Sequence, residues 1–462
     1  METPVKLNVS ELVDNSKLGA FQTGIFILCG LCLIMDGFDV QAIGYVAPEI
    51  IREWHISSGL LGPVFSAAPF GVLIGSLLFS MLADRIGRRP VLIGLTLYFS
   101  VLTLLTARVH SVNELLAIRL IAGMGLGGLM PNAVALVGEY SPRRMRDTLI
   151  MVVSNGFTAG AAVGGFVSAW LIPAFGWRSV FYFGGATPLL IGVLMFFWLP
   201  ESLQFMVLKG KAERGKSRER LAHWVKRMDP RAAANSDTRY AVEEKVKRNG
   251  VPMVNLFRDG RAIGTTLLWI VNFMNLINLF FLSSWLPTVV RDAGYSASNA
   301  VLVGTTLQVG GTIGALALGW FATRLSLISV LTTSFAMACV SIATIGQQGL
   351  PLAFLFMVVF VAGWGVVGGQ AGVNALASGY YPTDLRATGV GAGLGVGRVG
   401  AIVGPVVAGE MLLRNWTARE LFIAAAIPAL ISAVVTLSLR WVVRPGVGSK
   451  ANEPMASEVI GH

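Results

Sequence analysis

Residues 82–90 read LADRIGRRP, one aspartate and three arginines packed into nine positions. Apolar stretches flank them, 59–83 before and 90–108 after. About 20 consecutive apolar residues suffice for a helix to cross the hydrocarbon of a bilayer, so the stretch reads as a tight turn between two crossings. The same reading extended outward gives spans near 20–46, 59–83, 90–108, 113–137, 148–174 and 179–199. After a long polar stretch come 263–287, 298–323, 326–346, 351–378, 387–413 and 418–441. Of the 462 residues, 54% are hydrophobic and 13% charged, whereas a soluble domain carries about 25% charged residues. The expected fold is an all-α membrane protein with 12 transmembrane helices in two six-helix bundles.

The basic residues set the orientation. The turn at 83–90, the loop SPRRMRD (141–147) and the central segment 201–262, with 15 Lys/Arg against 8 Asp/Glu, fall on the same side as both termini. By the positive-inside rule that side is cytoplasmic, and a net charge of +11 spread over such loops reports topology rather than a nucleic-acid partner. The division is then a cytoplasmic N-terminal segment 1–19, a first bundle 20–200, a central cytoplasmic loop 201–262, a second bundle 263–441 and a cytoplasmic tail 442–462. Within the central loop, 209–229 (KGKAERGKSRERLAHWVKRMD) is basic enough for a surface helix, with a solvated linker as the simpler expectation. Cys29 and Cys32 form a C-x-x-C inside an apolar helix with no surrounding βαβ pattern, so no redox or metal site is expected. No cofactor is expected either. The polar, mixed-charge start differs from a cleaved signal peptide, which makes the first helix a retained one. The location expected is the inner (plasma) membrane, multi-pass, as a functional monomer in contact with lipid.

The halves repeat. At an offset of 239, Pro48, Arg52, Gly71, Gly75 and Arg85 fall on Pro287, Arg291, Gly310, Gly314 and Arg324. At 240, Gly123, Gly128, Pro142, Gly160 and Gly164 fall on Gly363, Gly368, Pro382, Gly400 and Gly404. Six spans per copy keep both copies in one orientation, related by an axis along the membrane normal. Such a pair encloses a path between its halves.

With these features the chain resembles the major facilitator superfamily over essentially its whole length. LADRIGRRP is similar to that superfamily's signature after helix 2, matched by Asp84, Arg85, Gly87, Arg88 and Arg89, with Ser80 where glycine is usual. The resemblance implies a cytoplasmic conformational latch at these residues. The equivalent place in the second half reads FATRLSLIS and keeps only Arg324. Within the superfamily the chain is most similar to the aromatic acid:proton symporters, the benzoate, hydroxybenzoate and protocatechuate type. DGFD (36–39), GLGGLMPNA (125–133), SWLPT (284–288) and GVGRVGAIVGP (395–405) carry that likeness.

Four charges lie in the interior of the spans, away from their ends: Asp36, Asp39, Arg119 and Arg398. Such residues cost about 2.5–3.5 kcal/mol at the centre of a span, so they face a cavity or a partner. Asp36 and Asp39 sit three apart on one helix. Burial beside a like charge favours a protonated carboxyl, and the two would titrate as a unit. All four histidines lie outside the spans, which leaves carboxylates to handle protons. Arg119 opens RLIAGMG, similar to the superfamily's proton-coupling motif of helix 4; permanent pairing with Asp36 or Asp39 is the equal alternative. Asp36 and Asp39 fall on Asn275 and Asn278 at offset 239, and Asn272 joins them. The second half keeps the polarity without the charge, which suggests protons handled in the first half and substrate oriented from the second. Arg398 offers a planar fork suited to a carboxylate. Phe38, Tyr45, Phe273, Phe281 and Trp285 are the expected apolar walls for an aromatic ring.

The function expected is proton-coupled uptake of a small aromatic carboxylate by alternating access. Another organic anion, muconate-like or a dicarboxylate, fits the same charges. An exporter fits less well because residues 155–169 lack the glycine–proline motif of the drug antiporters. A sugar porter explains LPES (199–202) but not Arg398. A receptor would need a signalling domain for which the loops leave little room. Nothing suggests an enzyme, since HExxH, G-x-S-x-G and P-loop motifs are missing from the sequence.

Overall fold

The computed structural model describes residues 6–209, 215–228, 238–241, 253–347, 349–382 and 384–442. A strand β1 (Lys6–Asn8) and a short helix α1 (Val9–Asn15) precede the first bundle. That bundle comprises α2 (Ala20–Trp54), α3 (Gly62–Ile86), α4 (Arg88–Thr106), α5 (Val112–Tyr140), α6 (Arg146–Phe175) and α7 (Arg178–Trp198). Helices α8 (Leu203–Leu208) and α9 (Gly215–Met228) and strand β2 (Arg239–Ala241) follow. The second bundle comprises α10 (Ala262–Asp292), α11 (Ala297–Ala322), α12 (Leu327–Ile345), α13 (Leu352–Gly363) continuing into α14 (Gly369–Tyr380), α15 (Arg386–Leu413) and α16 (Ala418–Val442). Among the described residues, twelve spans are long and apolar enough to cross a membrane, α13 and α14 forming one of them. Between these two, Trp364–Gly368 is π-helical.

Most boundaries fall within a few residues of the expected spans. The largest departure is α2, which continues to Trp54 through Pro48. Its last turns keep Ile50 buried and turn Arg52 and Glu53 outward, so an amphipathic end prolongs the helix after the apolar run stops.

The duplication is visible in the packing. A Cβ on Gly71 would strike the Leu120 carbonyl, and one on Gly310 the Phe360 carbonyl. Gly123 abuts Ala68 and Gly363 abuts Leu307; Gly160 abuts Ile34 and Gly400 abuts Phe273. Each pair of contacts is related by the offsets of 239 and 240. One contact is inverted. Gly37 lies against the Phe157 backbone, and at the equivalent place Leu276 lies against Gly397. A glycine stands at that crossing in both bundles, but in the second it is on the partner helix and its closest contact is the Leu276 side chain instead of a backbone.

An even number of crossings puts Ala20 and Val442 on one side, called here the terminal side. Among the described residues, every hydrogen bond between helices of the two bundles lies from mid-depth to the far side. The far ends are joined by Glu49 and Arg291 at 3.4 Å. Deeper, Gln41 donates to the Ser283 carbonyl at 2.7 Å, and Gln308 donates to Gln41 at 3.2 Å and to the Ser283 hydroxyl at 3.1 Å. Ser66 donates to Ile402 at 2.6 Å and Ser298 to Ala169 at 3.1 Å.

Of the described residues of the central segment, α9 is docked on the first bundle, whereas Leu256 is buried against the second, its carbonyl accepting from the Thr265 hydroxyl at 2.9 Å. Residues 209–229, expected chiefly as solvated linker, contain α9, whose Leu221, Trp224, Val225 and Met228 form an i, i+3, i+4, i+7 stripe. Trp224 stacks on Phe21 at 5.5 Å, and Phe21 meets Tyr140 edge-on at 6.1 Å. Strand β2 pairs in parallel with β1, Leu7 opposite Tyr240, a small exception to an all-α architecture. The tail from 443 onward lies outside the described residues.

Candidate functional site

Helix α2 brings both acidic residues to mid-depth, but they meet different surroundings. Three residues advance a helix by about 300°, which leaves the two side chains about 60° apart. That turn carries Asp39 into the interior of the first bundle. Its carboxylate pairs with Arg119 at 2.9 Å and accepts from the Thr103 hydroxyl at 2.7 Å. Arg119 also donates to the Asp39 main-chain carbonyl at 3.0 Å. Asp39 and Arg119 are each 0% exposed. Of the two alternatives for Arg119, the structure contains the pairing with Asp39.

Asp36 is also buried, 4% exposed, yet makes no hydrogen bond or ion pair to another described residue. It interacts electrostatically with Asp39 and with Arg398. Arg398 therefore reaches from α15 toward the first bundle. Its Nη1 donates to the Ser76 hydroxyl at 2.9 Å and to the Val72 carbonyl at 3.3 Å, both on α3. A guanidinium with one arm engaged retains donors for a carboxylate.

The three asparagines of α10 separate. Asn272 and Asn275 join a polar cluster with Gln370 of α14. Asn278 instead turns to α16, oriented so that it donates to the Ala425 carbonyl at 2.7 Å and accepts from the Ala429 N–H at 3.0 Å. It wedges into that helix beside Pro428 and is committed to helix pairing rather than to the space between the bundles. The aromatic residues also divide. Phe38 is sandwiched by Gly164, Gly184 and Phe183 within the first bundle. It stands two residues beyond Asp36, about 200° around the helix, and so cannot face the same space. Phe281 packs edge-on to Phe422 in the second bundle. Tyr45 donates to Ala161 at 2.9 Å, and Trp285 donates to Pro405 at 3.2 Å while meeting Phe65 edge-on. Both are buried in the far-side closure, not in an open wall. Phe273 is half-buried where α10 meets α15.

The turn quoted at the outset is built around Glu201. That carboxylate accepts from the N–H groups of Arg88, Arg89 and Ser202 at 3.0, 3.1 and 2.9 Å, an anion seated on the N-terminus of α4. Arg88 pairs with Glu139 of α5, and Arg89 donates to the Phe196 carbonyl at 2.6 Å. Gly87 has φ +113°, and a Cβ there would strike the Glu201 carboxylate. Asp84 and Arg85 are exposed and make no hydrogen bond or ion pair to another described residue. Gly87→Ala is expected to destabilise the protein by about 2 kcal/mol, from left-handed backbone strain and displacement of the cap. Thermal unfolding of the purified protein measures this, with Gly94→Ala, where an added Cβ would meet nothing beyond its own helix, as the control expected not to destabilise. An unchanged melting temperature for Gly87→Ala would refute the strain argument.

Sequence reasoning missed Thr103, Gln41, Gln308, Ser76, Gln370 and Glu201. Gln41, Gln308 and Gln370 were detectable as lone amides in apolar runs. Nothing local distinguishes Ser76 or Thr103.

Comparison with known proteins gives a consistent picture. The model of the Major Facilitator Superfamily matches residues 29–393 and 268–460. A gallate transporter of Pseudomonas putida is 37% identical over 94% of this chain and 95% of its own. A 4-hydroxybenzoate transporter, PcaK, of the same organism is 36% identical over 93% and 94%. Among solved structures, a D-xylose–proton symporter superposes with a TM-score of 0.70 at 17% identity, over 92% of this chain and 98% of that one.

Proposed function

Because the chain belongs to the Major Facilitator Superfamily, as a multi-pass protein of the inner membrane, we propose that it imports a small aromatic carboxylate together with protons by alternating access. It is a transporter rather than an enzyme, as are its relatives. The observation that carries the reading is the pair Asp36 and Arg398, one from each bundle and near enough to interact electrostatically. One is a buried carboxyl without a hydrogen-bond partner and the other a guanidinium with donors to spare. A substrate carboxylate on Arg398 and a proton on Asp36 would neutralise both together, which removes the cost of carrying either charge through the membrane.

In this reading the terminal side is cytoplasmic, and the closed far side is the external gate of a carrier open to the cytoplasm. The exposed Asp84 then belongs to a released latch. External substrate enters after the Gln41–Ser283–Gln308 contacts part, loads onto Arg398, and leaves when they re-form. Arg119 holds Asp39 in place and tunes Asp36 through that neighbouring charge.

The test is uptake of radiolabelled benzoate, hydroxybenzoates, protocatechuate, gentisate and muconate by proteoliposomes. Accumulation is expected only with the outside acidic, and a protonophore should abolish it. Accumulation indifferent to the gradient sinks proton coupling; flux of muconate alone sinks the aromatic assignment.

A further inference from the structure

Span ten departs from α-helical geometry only at Trp364–Gly368, and a polar cluster is assembled around that departure. A π-helical turn takes its carbonyls out of the normal ladder and often marks a functional site. Here the Val366 carbonyl accepts from Asn275 Nδ2 at 3.0 Å, and the same nitrogen donates to Gln370 Oε1 at 2.8 Å. Gln370 Nε2 donates to Asn272 Oδ1 at 3.0 Å and approaches Asn374 Oδ1 at 3.4 Å.

Counting the groups shows an imbalance. The amide protons of Asn275 and Gln370 are all directed at acceptors within the cluster. Asn275 Oδ1, on a residue 1% exposed, has no hydrogen-bond partner among the described residues. A buried amide oxygen without a donor is costly, so the buried part of the cluster, at Asn275, lacks a donor. A carboxylate would add further acceptors. A hydroxyl supplies what is lacking.

The position suits a second contact on the same substrate. By helix rise, Asn275 and Gln370 lie about 20 and 15 Å from the terminal-side ends of their helices, and Arg398 about 18 Å from its own. The three helices concerned, α10, α14 and α15, touch one another. Gln370 and Asn374 are half-exposed while Asn275 lies buried behind them. The first bundle has no counterpart. At offset 240 the π segment falls on Met124–Gly128 within continuous α5, and Gln370 and Asn374 fall on Met130 and Val134.

We propose that this cluster, with Gln370 as its accessible arm, is the subsite that reads a ring hydroxyl, so that hydroxylated aromatic carboxylates are selected over the unsubstituted acid. The proposal rests on the transport reading above. Arg398 takes the carboxylate and the Asn272–Asn275–Gln370–Asn374 cluster takes the hydroxyl at another point of the ring.

The experiment measures binding of benzoate and of 3- and 4-hydroxybenzoate to purified protein, wild type against Gln370→Met and Asn374→Ala. Wild type is expected to prefer at least one hydroxybenzoate about tenfold. Gln370→Met should erase that preference while benzoate affinity stays within about twofold, and Asn374→Ala, at the accessible rim, should shift it in the same direction by about threefold. Equal weakening of all three acids, or no weakening, would show that the cluster only pairs helices and would overturn the proposal alone. If Gln370→Met fails to fold, Asn374→Ala decides by the same criterion. Wild-type protein that binds none of the acids overturns the transport reading as well.

Discussion

Asp39→Asn is expected to destabilise the protein by about 3–5 kcal/mol, whereas Asp36→Asn should change stability by less than about 1 kcal/mol. The difference follows from what each substitution strands. Without the Asp39 carboxylate, Arg119 keeps a full charge at 0% exposure, and its Nε already has no partner among the described residues. A buried ion pair broken from one side leaves an uncompensated charge, the most expensive state such a site can adopt. Asp36 makes no hydrogen bond that its asparagine would lose. Its replacement should instead abolish uphill accumulation while the melting temperature holds. Thermal unfolding and proteoliposome uptake on the same preparations separate the two roles. If Asp36→Asn still accumulates substrate against its gradient, the proton assignment is wrong. If Asp39→Asn melts like wild type, Arg119 has another counter-charge. Arg119→Gln in the Asp39→Asn background should recover part of the lost stability, because it removes the stranded charge.

Arg398→Gln is expected to weaken carboxylate binding by roughly 10- to 100-fold, the range of charge-assisted hydrogen bonds at about 1.5–3 kcal/mol. Lysine should restore only part of this, since an ammonium lacks the planar fork. Ser76→Ala should act in the opposite direction. The Ser76 hydroxyl holds Arg398 against α3 at 2.9 Å, so its removal frees a donor and should raise affinity up to severalfold. Binding isotherms for a benzoate-type acid decide both. An affinity unchanged in Arg398→Gln would end the assignment of the carboxylate site.

The spans were legible because a bilayer imposes a length on every apolar helix, and twelve stretches met it. The end of α2 was not, because Glu49, Arg52 and Glu53 interrupt the hydropathy without interrupting the helix. Interior charges were legible as rare residues in apolar runs, but not their roles. A rotation of about 60° between Asp36 and Asp39 decides which meets Arg119, and no pattern along one helix reports the neighbour it faces. The same limit applied to Phe38, named as a wall and found in a bundle core, and to Asn278, named for substrate and wedged into α16. Gln41 and Gln308 lie 267 positions apart, so their contact is a property of the assembled pair of bundles. The π segment lies in WGVVGG, whose small and β-branched residues fit several helical pitches equally well.

The inverted contact between Gly37 and Phe157 in one bundle, Leu276 and Gly397 in the other, carries an implication for ancestry. The two copies share more than matching residues; they share a contact between the same two helices, with the glycine that makes room for it moved from one helix to the other. Selection on such a pair acts on the sum of two side-chain volumes, so each position is free to drift provided its partner compensates. Asp36 lies immediately before Gly37 and Asn275 immediately before Leu276, beside that fixed crossing. A doubled gene could therefore alter the charge in one copy while the scaffold beneath both remained the heirloom.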